Sequence, residues 1–174
     1  MSIILCGFKN CGKTTLATAF SKATGWRLLD TDHVMLNLSK FNGSISELYK
    51  SLGEENFRSL EAEIISSLQP QTKRIIATGG GTMMNHRSSQ QLRALGSVIY
   101  LNEAQSTLLN RMLASDKLPS FIDASDPENS FKEYYNERHK IYKKCADDTI
   151  VPSEQSIEAN IKSLEKIGNS YVEQ

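Results

Sequence analysis

Features that would tie function to a metal, a disulfide or a membrane are scarce in this sequence. Three cysteines in 174 residues, Cys6, Cys11 and Cys145, form neither an even-numbered framework nor a metal-ligand spacing. Thiols in a reducing cytosol are the simple expectation, and with it a cytoplasmic protein. His33, His86 and His139 show no triad or metal spacing. No apolar run is long enough to span a bilayer, and no basic stretch precedes the first one, so neither a membrane segment nor a signal peptide is expected. Charge of one sign is lacking too. Lys and Arg number 20, as do Asp and Glu, which argues against nucleic acid or membrane partners held by bulk charge. There is no internal repeat and no interdomain linker. Residues 1–174 read as one domain, which can bury roughly 70% of its unfolded surface and needs no staple to fold.

Short apolar runs alternate with helical patterns, which predicts βαβ units, a mainly parallel sheet and an α/β fold. Strands are expected at 2–6, 26–29, 74–78, 97–101 and 149–151. Helices are expected at 13–24, 44–52, 53–68, 88–95, 103–113, 130–146 and 156–167. Gly25 fits just past the first helix. Ser44 and Glu47 make a capping box, and Asn102 is placed to cap the helix that follows it. Residues 114–129 lose periodicity while keeping Leu118, Phe121 and Ile122, which suggests a lid that closes over something. The tail from Gly168 is expected to fray.

The first strand runs into Gly7-Phe8-Lys9-Asn10-Cys11-Gly12-Lys13-Thr14, then into a helix. G-x-x-x-x-G-K-T between a strand and a helix is a phosphate cradle. Its backbone N–H groups point inward at phosphate oxygens, and the helix dipole adds to their field. Lys13 is placed to neutralise the β- and γ-phosphates of a nucleoside triphosphate, and the Thr14 hydroxyl to ligate Mg²⁺. Gly7, Asn10, Cys11, Gly12 and Thr15 complete the nucleotide loop. Cys11, among amides at a helix N-terminus, is expected to react with thiol reagents.

Asp30 and Asp32 stand at the end of a strand, where open α/β sheets bind ligands. If extended they point to one side, and two close carboxylates call for a cation or a proton. A capping pair is the plainer alternative. Gly79-Gly80-Gly81 ends another strand at the same edge, as expected of a turn that a ligand approaches closely. Arg58, Arg111 and Arg138 lie on expected helices, and a surface pair of Arg58 with Glu54 is the simple reading of the first.

In this order the motifs resemble the shikimate kinase family. The resemblance spans Gly7 to Asp147: Gly-Phe-x-x-x-Gly-Lys-Thr, Leu-Asp-Thr-Asp at 29–32, Gly-Glu-x-x-Phe-Arg at 53–58, Thr-Gly-Gly-Gly-Thr at 78–82, Leu-x-x-Arg at 108–111 and Glu-Arg-x-x-x-Tyr at 137–142. It implies a five-stranded parallel sheet of order 2-3-1-4-5 and transfer of the γ-phosphoryl group of ATP to the 3-hydroxyl of shikimate, on the route to chorismate and aromatic amino acids. It implies that Asp30 helps hold Mg²⁺, that Asp32 binds ring hydroxyls and accepts the proton, and that Arg58 and Arg138 hold the carboxylate. Gly79, Gly80 and Gly81 would approach the substrate, and Arg111 would pack near the adenine. A monomer is expected. The sequence departs from the family pattern at Asn10, where Gly is usual, at Cys11, and in the lid. There the family's Arg before Pro-Leu gives way to Asp116-Lys117-Leu118-Pro119-Ser120-Phe121, with Lys117 as the available charge. A nucleotide-binding module without turnover, and a kinase of another polyol acid such as gluconate, stay open as alternatives.

Overall fold

The computed structural model describes residues 1–115, 118, 119 and 121–170. Its centre is a five-stranded sheet in which each pairing is parallel, ordered β2-β3-β1-β4-β5. β1 (Ser2–Cys6) lies between β3 (Arg74–Ala77) and β4 (Gly96–Leu101), with β2 (Arg27–Asp30) and β5 (Asp148–Ile150) at the edges. The central three strands are buried along their whole length, which is why they read as unbroken apolar runs rather than alternating ones. Parallel order brings every strand's C-terminal end to one edge. The turns that leave those ends build the site.

The helices cover the sheet. They are α1 (Lys13–Thr24), α2 (Thr31–Leu38), α3 (Ile45–Ser67), α4 (His86–Leu95), α5 (Gln105–Leu113), α6 (Pro127–Cys145) and α7 (Ile157–Ser170). α1 packs on α7, and α5 on α6. α2 and α3 pack on each other around a small core of their own, Met35, Leu48, Phe57 and Ile64, while the end of α3 joins the main core through Ile65 and α3 also packs on α4. Ser44 and Glu47 form the expected capping box at the start of α3. The two helices expected at 44–68 meet end to end at Gly53, whose φ of 75° and ψ of 166° break the helical path.

Several expected boundaries move. Asp30 ends β2 and caps α2, a helix absent from the sequence reading, so Asp32 is helical rather than extended. Its two local donors, the amides of Asp32 and His33, explain the change. Asn102 caps nothing. α5 begins two residues later than expected, after Ala104, and Glu103 is turned inward. α6 starts at Pro127, with Asp126 as its cap, so the aperiodic stretch ends at 126 rather than 129. Within it Ile122 is buried in the main core and Phe121 stacks on Tyr134 at 3.8 Å, so both are packed against the body of the protein. Gly168 lies inside α7 against Trp26 rather than in a tail. Lys117 falls outside the described residues.

Candidate active site

The P-loop takes the shape its sequence calls for. Gly12 (φ 96°) and Asn10 (φ 64°) both adopt left-handed backbone, and Asn is among the side chains that tolerate it best. The Lys13 ammonium lies along the loop and donates to the carbonyls of Gly7 (2.9 Å) and Phe8 (2.7 Å). It is only 8% exposed, so its charge is poorly screened by water. The Phe8 ring stacks on Tyr135 at 4.7 Å and meets Tyr142 edge-on, which anchors the loop to α6. Cys11 is a different matter. Its side chain is fully buried, with Sγ 3.7 Å from Lys13 Nζ, so it faces the core and is shielded from the thiol reagents it was expected to meet.

The Thr14 hydroxyl donates to Asp30 Oδ2 at 2.7 Å, while Asp30 Oδ1 caps α2. A hydroxyl and a carboxylate oxygen side by side at the phosphate end of the loop are hard oxygen donors that suit Mg²⁺, which takes one or two protein ligands and fills the rest with phosphate and water. No group of three or more His, Cys, Asp or Glu side chains able to hold a metal alone occurs among the described residues.

Across the cleft, six side chains converge on the glycine turn after β3. Thr31 Oγ1 accepts from the Gly79 amide at 3.0 Å and ties the turn to the start of α2. A Cβ added at Gly79 would stand 2.8 Å from Asp32 Oδ1 and 3.0 Å from Glu61 Oε1, and one at Gly81 would fall on the Arg58 guanidinium. The Gly80 carbonyl accepts from Arg138 Nη1 at 3.4 Å and from the Tyr142 hydroxyl. Arg138 also lies 4.1 Å over the Tyr134 ring. Asp32, Arg58, Arg138 and the three glycines, drawn from separate stretches of sequence, are thus brought together.

Arg58 pairs with Glu61 at 2.7 Å, not with Glu54. Glu61 is 2% exposed and also accepts from the Thr82 hydroxyl at 2.7 Å, so it fixes the guanidinium from behind. Sequence reading missed Glu61, although its i,i+3 spacing from Arg58 was visible. It also gave no role to Thr31 and Tyr142, although both stand inside motifs that carry the resemblance. Burial, and then the Asp30 carboxylate, push the Asp32 pKa from its ordinary 3.8 to about 6, against the pull of Lys13. A carboxylate so tuned is charged at neutral pH and still basic enough to take a proton.

Beside the P-loop, a cavity of about 560 Å³ is lined by Asn10, Gly12, Thr15, Arg111, Pro152 and Gln155, among others. Arg111 Nη1 donates to the Asn10 carbonyl at 3.0 Å. The 152–155 segment, which follows β5, was not foreseen as part of the site. Its residues have no spacing signature, and only the sheet order places them there.

The arrangement agrees with comparison to known proteins. The family model described as shikimate kinase matches residues 9–168. A shikimate kinase of Thermodesulfovibrio yellowstonii is 30% identical over 172 residues, covering 97% of each chain. One of Clostridium botulinum is 31% identical over 168 residues, covering 95% of this chain and 96% of the relative. Among solved structures, shikimate kinase from Aquifex aeolicus superposes with a TM-score of 0.75 at 27% identity, covering 98% of this chain and 99% of that one. Shikimate kinase from Acinetobacter baumannii in complex with shikimate reaches 0.85 at 24% identity, covering 98% and 93%. The chain belongs to the shikimate kinase family.

Proposed function

We propose the following division of labour for phosphorylation of shikimate by ATP, the reaction of this family. ATP lays its phosphates on the loop of Gly7, Asn10, Cys11, Gly12, Lys13, Thr14 and Thr15 and its base toward Arg111. Arg58 and Arg138 hold the shikimate carboxylate as planar cationic forks. The turn of Gly79, Gly80 and Gly81 lets the ring approach the backbone. Asp32 orients the 3-hydroxyl and takes its proton as the oxygen bonds to the γ-phosphorus. The bond from that phosphorus to the β,γ-bridging oxygen breaks, ADP leaves, and the Lys13 ammonium balances charge on the bridge. Thr14 and Asp30 would hold Mg²⁺, which would supply positive charge to neutralise the triphosphate. Lys117 remains the candidate for lid charge on sequence grounds alone. A cytoplasmic monomer fits this reading, and among the described residues no helix is long and apolar enough to cross a membrane.

One observation carries the assignment: a carboxylate tuned to about 6 and two arginines meet on one glycine turn facing the P-loop lysine. A module without turnover has no use for a tuned base beside the phosphate grip. The gluconate alternative finds no support in the family match. The test is ADP release from ATP and Mg²⁺ with shikimate, with gluconate and with neither acid. Release only with shikimate is expected. Release with gluconate alone, or none with either, overturns the assignment.

A further inference from the structure

The buried carboxylate of Glu103 has no part in the chemistry above, yet its contacts reach two walls of the cavity beside the P-loop. Glu103 leaves the end of β4 and is 0% exposed. Its Oε1 accepts from the Ser153 hydroxyl and from the Ala104 amide at 3.1 Å. Its Oε2 lies 3.3 Å from Arg111 Nη1. The N–H there is directed at the Asn10 carbonyl, and Oε2 has no hydrogen-bond donor among the described residues. Ser153 and Arg111, which lie on separate segments of the chain, both line the cavity.

A carboxylate taken fully out of water is costly unless fixed partners surround it. Arg111 is 43% exposed, and a long cation at such a site would ordinarily sweep through many rotamers. Here its Nη1 is held by two acceptors, by a hydrogen bond to the Asn10 carbonyl and by the Glu103 carboxylate. A guanidinium whose end is anchored in this way offers its planar face as a stacking surface for an aromatic ring. Binding then does not have to immobilise it, and that cost is met before the ligand arrives. The same carboxylate holds the Pro152–Glu154 turn through Ser153.

We propose that Glu103 is the positioning residue of a nucleotide-base clamp. It fixes Arg111 as one wall and the 152–155 segment as another, so that the flat heteroaromatic base of the triphosphate enters a slot already formed. The proposal rests on the nucleotide reading of the P-loop and not on the identity of the acceptor.

The test compares two probes in calorimetric titration without shikimate: ATP with Mg²⁺, and inorganic tripolyphosphate with Mg²⁺, which has no base. Glu103→Gln keeps an acceptor for Ser153 and removes the charge facing Arg111. ATP should bind about tenfold more weakly, the order of one hydrogen bond to a charged group, while tripolyphosphate binds as to wild type. In steady state the KM for ATP should rise and the KM for shikimate should not. Ser153→Ala, which tests the other wall and leaves the ion pair in place, should weaken ATP in the same selective way and carries the test if Glu103→Gln fails to fold. Equal weakening of both probes would mean that Glu103 acts through the Asn10 carbonyl on the phosphate loop, and overturns the clamp. A lower Tm with unchanged ATP affinity would reduce Glu103 to a structural ion pair and overturns it as well. Failure of wild type to phosphorylate shikimate would sink the acceptor assignment while leaving these titrations readable.

Discussion

The P-loop with α1 and the α2–α3 pair flank one cleft, but they are held to the protein in different ways. The loop leaves the central strand of the sheet. Phe8, Cys11, Leu16, Ala17 and Phe20 all join the main core, and Lys13 is bonded back onto the loop's own carbonyls. The α2–α3 pair buries Met35, Leu48, Phe57 and Ile64 in a separate small cluster and is interrupted at Gly53. The proposed phosphate grip is therefore local in sequence and deep in the fold. The proposed acceptor grip is assembled from α2, α3, the turn after β3 and α6, and its α2 and α3 part stands on a satellite core. A grip that must hold polyphosphate gains from fixed dipoles, whereas one that admits a small acid and closes on it gains from an element with less burial behind it.

The sharpest way to break the comparison is Lys13→Ala. With an 8% exposed ammonium gone, phosphoryl transfer should fall roughly a thousandfold or more, as for loss of a preorganised charge at the reacting centre. Shikimate affinity, set across the cleft, should stay within about twofold, because uncoupled sites respond independently. Rapid-quench kinetics and a shikimate titration check both. A variant that keeps its turnover would remove the phosphate grip from this loop.

Asp32→Asn comes next. Loss of the proposed base should lower kcat by roughly a hundred- to ten-thousandfold. In wild type, kcat/KM should fall as pH drops below about 6, where Asp32 takes up its proton. Stability runs the opposite way. The folded pKa lies above the ordinary 3.8, so between 3.8 and about 6 the folded state binds more protons than the unfolded, and stability declines as pH rises through that window. The penalty is fully present above it, so at pH 8 the Asn variant should melt several degrees higher than wild type. A lower Tm at pH 8 would show that the carboxylate is not held at a cost.

The two grips were unequally legible in the sequence. The P-loop could be read residue by residue, because strand, loop and helix are contiguous and the geometry follows from local backbone rules. Even so, the full burial of Cys11 was not part of that reading, since loop position alone does not say which way Cβ points. On the acceptor side the Asp30 and Asp32 pair and the glycine turn stood out by themselves, whereas the roles of Arg58 and Arg138 came only through the family resemblance. Glu61, Thr31 and Tyr142 act through contacts between distant segments, and Asp30 does two tasks at once, closing α2 with one oxygen and meeting Thr14 with the other. Asp126-Pro127 lay inside a stretch read as lid although a capping Asp before Pro at the first helical position is a helix start. The 152–155 wall became visible only once β5 was placed beside β4.

A finer probe separates the two arginines. Arg58→Ala and Arg138→Ala should each weaken shikimate about ten- to a hundredfold, at roughly 1.5–3 kcal/mol per charged hydrogen bond, and spare ATP. They should differ in Tm. Arg58→Ala strands Glu61, which is 2% exposed, whereas Arg138→Ala leaves no buried acid behind. Equal melting points for the two variants would mean that Thr82 alone suffices for Glu61. Equal weakening of ATP and shikimate would place neither arginine on the acceptor side.

The smallest expected effect tests the satellite core itself. Gly53 sits at φ 75° and ψ 166°, a region almost confined to glycine, and a Cβ there would meet nothing within 4 Å. Gly53→Ala therefore adds backbone strain without a clash, on the order of 1–3 kcal/mol. If the α2–α3 pair yields as a unit, most of that strain should be relieved by a shift of the first half of α3, which carries Leu48 into the satellite cluster. Amide exchange should then quicken in α2 and in residues 45–52 and stay unchanged in α1. The KM for shikimate should rise a few-fold, because Arg58 lies just over one turn beyond the kink, while the KM for ATP should hold. Faster exchange in α1 as well, or a matching rise in both KM values, would mean that the two sides of the cleft share one cooperative core and that the separation of grips is only geometric.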